Sequence, residues 1–102
     1  MDTLTKLFGN ATKVKVIKQF VFNKETPFDA ALISLRTKET ATKVRTEISL
    51  LEKMDLIKRK VFFKPVHRKR GGKKVTIRVK SNGWVLNENF EYLIPLQSFL
   101  VS

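Results

Sequence analysis

The sequence of 102 residues contains no cysteine and a single histidine, His67. Disulfides, thiolate metal sites and cysteine nucleophiles are therefore excluded, and one histidine argues against a histidine-based metal centre or a Ser-His-Asp triad. The chain has neither a glycine-rich phosphate loop nor a pattern of paired carboxylates. We therefore expect no catalytic residues, no bound metal and no cofactor.

Long apolar runs are also missing. No stretch of about 18 apolar residues is present, so we expect no membrane span. The N-terminus lacks the apolar stretch of a signal peptide, which favours a cytoplasmic protein. The length suits one domain, and with 42% apolar residues, including eight Phe, the chain has enough material for a core.

Positive charge is concentrated in one segment. The chain carries 21 Lys and Arg against nine Asp and Glu, and 11 of these cations lie between Ile57 and Lys80, where there is no acidic residue. The rest of the chain is nearly neutral. Crowded like charges lower the stability of a fold by self-repulsion, which a polyanion would relieve. The distribution therefore favours a polyanionic partner over a merely solvated surface.

Two helices are predicted in the first third of the chain. Asn10 is a good N-cap for the first helix, with Phe8 placed to pack on Val14, although the β-branched residues over 14–22 also allow a strand. The second is predicted to begin with Thr26 as N-cap and Pro27 at its first position. Its expected buried face comprises Phe28, Ala31, Leu32 and Leu35.

A third helix and a hairpin are predicted next. Apolar residues recur at helical spacing from Thr40 to Met54, after a polar turn over residues 36–39. Alternating residues then predict two antiparallel strands, the first ending at Pro65 and the second running over residues 75–80. Between them, residues 66–74 would form a flexible cationic tip around Gly71-Gly72. A further turn is expected over residues 81–83.

The last segment predicts a helix that needs a cover. Eight of the 12 residues from Phe90 to Val101 are apolar. We expect a helix over about 88–101, capped by Asn87, with Pro95 in a first turn. A helix that is apolar almost all round must be covered, so we predict a homodimer. The expected interface residues are Leu4, Leu7, Phe90, Leu93, Leu96 and Leu100.

This order of elements resembles the winged helix-turn-helix fold, and the chain is similar to the small single-domain ArsR/MarR-like transcriptional regulators of bacteria and archaea. The likeness is carried by residues 7–17, by residues 42–57 and by residues 84–93. It implies an α+β fold of three helices, a basic two-stranded wing and a C-terminal helix, in one domain over residues 1–102. It also implies a dimeric regulator, near the nucleoid, that binds double-stranded DNA in a sequence-specific way.

The resemblance assigns two groups of DNA-binding residues. The helix over 40–54 would enter the major groove, and the hairpin over 57–80 would contact phosphates or the minor groove as a wing. The recognition-helix candidates are Thr42, Lys43, Arg45, Thr46 and Ser49. The wing candidates are His67, Arg68, Lys69, Arg70, Lys73 and Lys74.

Two departures from the family pattern limit the resemblance. The turn over residues 36–39 contains no glycine, and the metal-sensing cysteines and histidines of many ArsR-type proteins have no counterpart, so metal sensing is not implied. No effector ligand is indicated. A winged-helix module that binds RNA or the ribosome, and a nonspecific DNA-binding protein, remain the alternatives. A third is a winged helix that binds another protein or an anionic membrane, against which the absence of an exposed basic amphipathic helix argues. Trp84 is expected in the core, and of the adjacent Phe62 and Phe63 one ring is expected to point outward.

Overall fold

The computed structural model describes residues 9–101. Over this range the chain forms three helices, a two-stranded antiparallel hairpin and a last helix. The elements are α1 (Ala11–Val21), α2 (Ala30–Thr37), α3 (Ala41–Lys53), β1 (Ile57–Arg70), β2 (Lys73–Leu86) and α4 (Leu93–Val101). The expected α+β class is confirmed for this part of the chain.

The first helix begins where the sequence predicts. Asn10 is the N-cap, and its side-chain oxygen accepts a hydrogen bond from the Lys13 backbone N–H at 2.6 Å. The alternative of a strand is wrong, because the apolar residues of α1 recur at helical spacing and are buried together in the core. The predicted contact of Phe8 lies outside the described residues.

The second helix begins three residues later than predicted. Thr26 and Pro27 do not start it, because the backbone at Phe28 is extended and exchanges two 2.8 Å hydrogen bonds with Trp84. Asp29 is the N-cap instead, and its carboxylate accepts from the Leu32 N–H at 2.8 Å.

The buried side chains of α2 also differ from those predicted. Ile33 and Thr37 face the core, whereas Ala31 and Leu35, expected there, are exposed. Phe28 is buried as predicted and Leu32 is half-buried, so the expected face was wrong by about half. Ala31 and Leu35 are each two residues from Ile33, and at about 100° per residue this places them roughly opposite it on the helix, on the exposed side.

The third helix agrees closely with the prediction. Thr40 is the N-cap and Met54 the C-cap, and the expected residues Val44, Ile48 and Leu51 are buried. The turn before it contains no glycine, and Lys38 takes the left-handed conformation there, with φ of 59°. α3 therefore packs one face on α1 and α2 and leaves the other outside.

The hairpin is longer and more regular than predicted. β1 continues through Pro65, and the register is unbroken from Ile57 opposite Leu86 to Arg70 opposite Lys73. Only Gly71 and Gly72, with φ of 56° and 82°, form the turn. Because hydrogen-bonded and non-hydrogen-bonded pairs alternate outward from such a turn, Pro65 falls on a non-hydrogen-bonded pair and removes no ladder bond.

The predicted turn over residues 81–83 is wrong, since β2 continues through it. Gly83 is there for close packing: a Cβ on it would lie 2.6 Å from the Phe28 carbonyl oxygen and 2.6 Å from Phe62 Cε1. The glycine thus lets the Phe28 backbone pair with β2 at Trp84. This pairing attaches the segment before α2 to the base of the hairpin.

The last helix begins at Leu93, five residues after its predicted start. Asn87 does not cap it; its N–H donates to Leu56 O at 2.9 Å and its side-chain amide to Asp55 O at 2.9 Å. These bonds hold the end of β2 against the α3–β1 loop. Pro95 lies in the first turn, as predicted.

Candidate nucleic-acid interface

The outer face of α3 carries all the recognition-helix candidates. The buried face of the same helix belongs to the hydrophobic core, which fixes its orientation relative to the other helices. Thr46 Oγ1 donates to the Thr42 carbonyl oxygen at 3.0 Å, so its hydroxyl is directed along the helix but keeps its acceptor lone pairs. Exposed side chains on this face are Thr42, Lys43, Arg45, Thr46 and Ser49.

The wing candidates lie on paired strands and not in a flexible tip. Arg70 is opposite Lys73 and Lys69 is opposite Lys74, so two pairs of like charges face each other directly across the hairpin. Such pairs destabilise a hairpin, and a bound anion would relieve them. All six candidates, His67, Arg68, Lys69, Arg70, Lys73 and Lys74, are exposed.

His67 has a structural partner. Its Nδ1 lies 3.1 Å from Thr76 Oγ1, the residue opposite it in the register. Among residues 9–101, His, Cys, Asp and Glu form no group of three or more that could hold a metal ion. The structure therefore gives this histidine a contact across the hairpin.

Two of the hairpin cations are used to attach it to the body. Lys64 donates to Asp29 Oδ2, and Arg59 Nε donates to Glu52 Oε2 at 2.9 Å. The other nine Lys and Arg between Ile57 and Lys80 have no carboxylate oxygen within 4.0 Å in the described part of the chain. Most of the positive charge of the hairpin is therefore not neutralised by carboxylates of residues 9–101.

Asp29 joins α2 to both strands of the hairpin. Besides capping α2, it accepts from Lys64 on β1 and from Ser81 Oγ on β2, the latter at 2.7 Å. Burial alone would raise the pKa of this carboxyl, but the hydrogen bonds from Lys64, Ser81 and the Leu32 N–H outweigh it and hold the pKa below 3.8. Asp29 is therefore ionised at neutral pH.

Glu52 makes the second attachment, from the last turns of α3. It accepts from Arg59 and also from the Trp84 indole N–H at 2.8 Å. The hydrogen bond from Arg59, with that from Trp84, lowers the pKa of Glu52 below 4.5. Trp84 thus packs partly in the core, as expected, and also fixes the base of the hairpin against α3.

The sequence alone assigned no partner to these two carboxylates, nor to Glu47 on the inner face of α3. Glu47 is buried; its Oε1 accepts from Asn10 Nδ2 at 3.3 Å, and its Oε2 lies 3.9 Å from Lys13 Nζ. The useful signal was the scarcity of acids: with nine against 21 cations, each acid is a candidate for a specific partner.

The expected dimer residues are only partly available for an interface. Leu93 and Leu100 are buried in the chain's own core, so their assignment to a dimer interface needs correction. Phe90 and Leu96 are half-buried and pack against that core. Leu4 and Leu7 lie outside the described residues. The large apolar side chains of α4 that are exposed are Ile94, at 77%, and Val101, at 71%.

Comparisons with known proteins add no relative. The chain matches no protein-family model, no curated protein and no solved structure. Over residues 9–101, no helix is both long enough and apolar enough to cross a membrane. Any functional conclusion therefore depends on the geometry and charge described above.

Proposed function

We propose that the chain is a winged helix-turn-helix protein that binds double-stranded DNA. In this proposal α3 enters the major groove and the hairpin is the wing that contacts phosphates or the adjacent minor groove. The topology supports it: α1, an extended residue paired with β2, α2, α3 and the hairpin follow in that order.

One observation carries the proposal. A helix with an exposed face of hydroxyl and cationic side chains is attached through Glu52 to a hairpin in which nine cations have no carboxylate within 4.0 Å among residues 9–101. Both elements offer donors to phosphate, and the helix additionally offers short polar side chains that suit base edges. Phosphate contacts supply affinity, while the α3 face supplies sequence preference.

The wing is tested by replacing Arg68, Lys69 and Arg70 with Ala. Affinity should fall for all duplex sequences alike, and the slope of log K against log salt should decrease by roughly 2–3. The matched control replaces Lys18, Lys24 and Lys38, which removes the same charge from outside α3 and the hairpin. An equal loss in both variants would contradict a specific role of the wing.

The α3 face is tested by sequence preference. Selection of bound duplexes from a random pool should enrich a motif, and Arg45→Ala or Thr46→Ala should change which sequences are preferred. A loss of about 1–3 kcal/mol of discrimination at one base position is expected for a base-contacting residue. If no motif is enriched, the alternative of nonspecific DNA binding is favoured. If structured RNA competes better than duplex DNA at the same salt, the alternative of an RNA-binding module is favoured.

We extend the proposal to a homodimeric transcriptional regulator. The exposed Ile94 and Val101 on α4 would contact a second copy, and two α3 helices would then read half-sites about one DNA turn apart. Light scattering should give twice the 11.8 kDa mass of one chain. Ile94→Asp should yield monomers, whereas Leu35→Asp, on an equally exposed residue of α2, should not. A monomer in the unmodified protein contradicts this extension and leaves DNA binding to be judged separately.

A further inference from the structure

One face of the hairpin exposes an aromatic ring that the duplex-binding proposal does not use. Side chains alternate between the two faces of a strand, so Phe62 and Phe63 point to opposite sides. Phe62 is half-buried, packed close to Gly83 and the Phe28 backbone. Phe63 is 56% exposed. The sequence left open which ring points outward, and the structure assigns it to Phe63.

The exposed ring lies among apolar and cationic side chains. Val61 and Pro65, two residues before and after Phe63, share its face and are exposed. The register places Lys80 directly opposite Phe63 and Arg78 opposite Pro65, and neither cation has a carboxylate within 4.0 Å among the described residues. We name this surface the Phe63 face: Val61, Phe63, Pro65, Arg78 and Lys80.

We propose that the Phe63 face binds single-stranded nucleic acid, with Phe63 stacked on an unpaired base and Lys80 and Arg78 on the flanking phosphates. Proteins that bind single strands without sequence preference combine aromatic rings, which stack on bases, with cations that neutralise the phosphate backbone of the nucleic acid. The bases of a closed duplex are stacked on each other and offer no face to Phe63. Binding of a single strand is therefore an activity separate from duplex binding by α3. It stands even if α3 binds no duplex.

Charge and shape favour this partner over an anionic membrane. The exposed apolar side chains lie in the middle of the strands, while the end of the hairpin carries Arg70, Lys73 and two glycines. A hairpin that inserts into a bilayer interface needs apolar residues at its inserted end. Thr76 and Asn82 on the same face are polar as well, which suits contacts with sugars and phosphates.

The experiment distinguishes contacts with bases from contacts with phosphate charges. Fluorescence anisotropy would measure binding of labelled oligothymidylate, about 12 nucleotides long and so within known single-strand site sizes. An abasic strand of equal length and charge would be measured at the same salt. Phe63→Ala should weaken binding to oligothymidylate by roughly 5- to 150-fold, the loss typical of one stacked base. Its affinity for the abasic strand and its salt dependence should be unchanged, because no charge is removed.

Two further variants separate stacking from folding. Phe22→Ala removes an aromatic ring that is 51% exposed at the end of α1, and it should leave both affinities unchanged. Phe63→Trp should restore binding to oligothymidylate, because indole also stacks on a base. Circular dichroism melting of each variant would verify that the fold is retained.

Three results would overturn the proposal. The unmodified protein could bind the abasic strand as tightly as oligothymidylate, which would mean that bases are not contacted. Phe63→Ala could weaken both strands equally, which would indicate a structural role of the ring. Alternatively, Phe63→Ala could weaken binding to vesicles containing phosphatidylserine while binding to oligothymidylate is unchanged, which would assign the face to a membrane.

Discussion

Removal of the Asp29 carboxylate should loosen the hairpin from the helical body. Asp29→Ala deletes the N-cap of α2, worth about 1 kcal/mol, and leaves the partly buried Lys64 ammonium without its partner, worth about 1.5–3 kcal/mol. The free energy of unfolding should therefore fall by about 3 kcal/mol. For a domain of this size that corresponds to a decrease in Tm of roughly 12–24 °C.

A second substitution separates the cap from the charge. Asn is also a good N-cap, so Asp29→Asn should keep the bond to the Leu32 N–H and lose the ionic contact with Lys64. We expect the free energy of unfolding of Asp29→Asn to lie between that of the unmodified protein and that of Asp29→Ala. Glu25→Ala, which removes an exposed acid, should change stability by less than about 0.5 kcal/mol.

Thermal unfolding followed by circular dichroism at several pH values tests the reasoning. Because the pKa of Asp29 is lowered in the folded state, its ionised carboxylate stabilises the fold fully at pH values well above 3.8. This stabilisation is lost as pH falls through the folded pKa. The difference in stability between the unmodified protein and Asp29→Asn should therefore shrink below about pH 4. A difference that stays constant from neutral to acid pH, or an Asp29→Ala variant as stable as Glu25→Ala, would refute the assignment.

Two further predictions concern the base of the hairpin. Gly83→Ala should destabilise the fold by roughly 1–3 kcal/mol, because the added Cβ meets the Phe28 carbonyl oxygen and the Phe62 ring; an unchanged urea midpoint would contradict that close approach. Glu52→Ala should change the fluorescence of Trp84, the single tryptophan, by removing the acceptor of its indole N–H, whereas Glu52→Gln should change it less because an acceptor remains. Identical spectra of the two variants would contradict that hydrogen bond.

Local signals predicted the parts of the fold that depend on neighbouring residues. The periodicity and caps of α1 and α3 are local, since Asn10 and Thr40 bond backbone groups three residues away. The start of α2 was missed because it depends on a bond between Phe28 and Trp84, 56 residues apart along the chain. No local pattern around Thr26 and Pro27 contains that information.

The same distinction applies to the candidate interface. The exposed residues of α3 and of the hairpin could be predicted, because exposure follows from periodicity and charge. The groups that join these elements, Asp29 and Glu52, act across long sequence separations and could not be assigned partners in advance. Pro65 was read as the end of a strand and Gly83 as part of a turn, although in this hairpin both residues lie within a continuous strand.

The most direct test of the central claim is the salt dependence of binding to a mixed-sequence DNA duplex. With nine hairpin cations unpaired among the described residues, we expect about 6–9 phosphate contacts and a slope of log K against log salt of roughly −5 to −8. Affinity should then fall by on the order of 10³-fold or more between about 50 and 200 mM salt. A slope near zero, or no measurable binding at the lowest salt, would contradict the claim that this hairpin and α3 form a nucleic-acid interface.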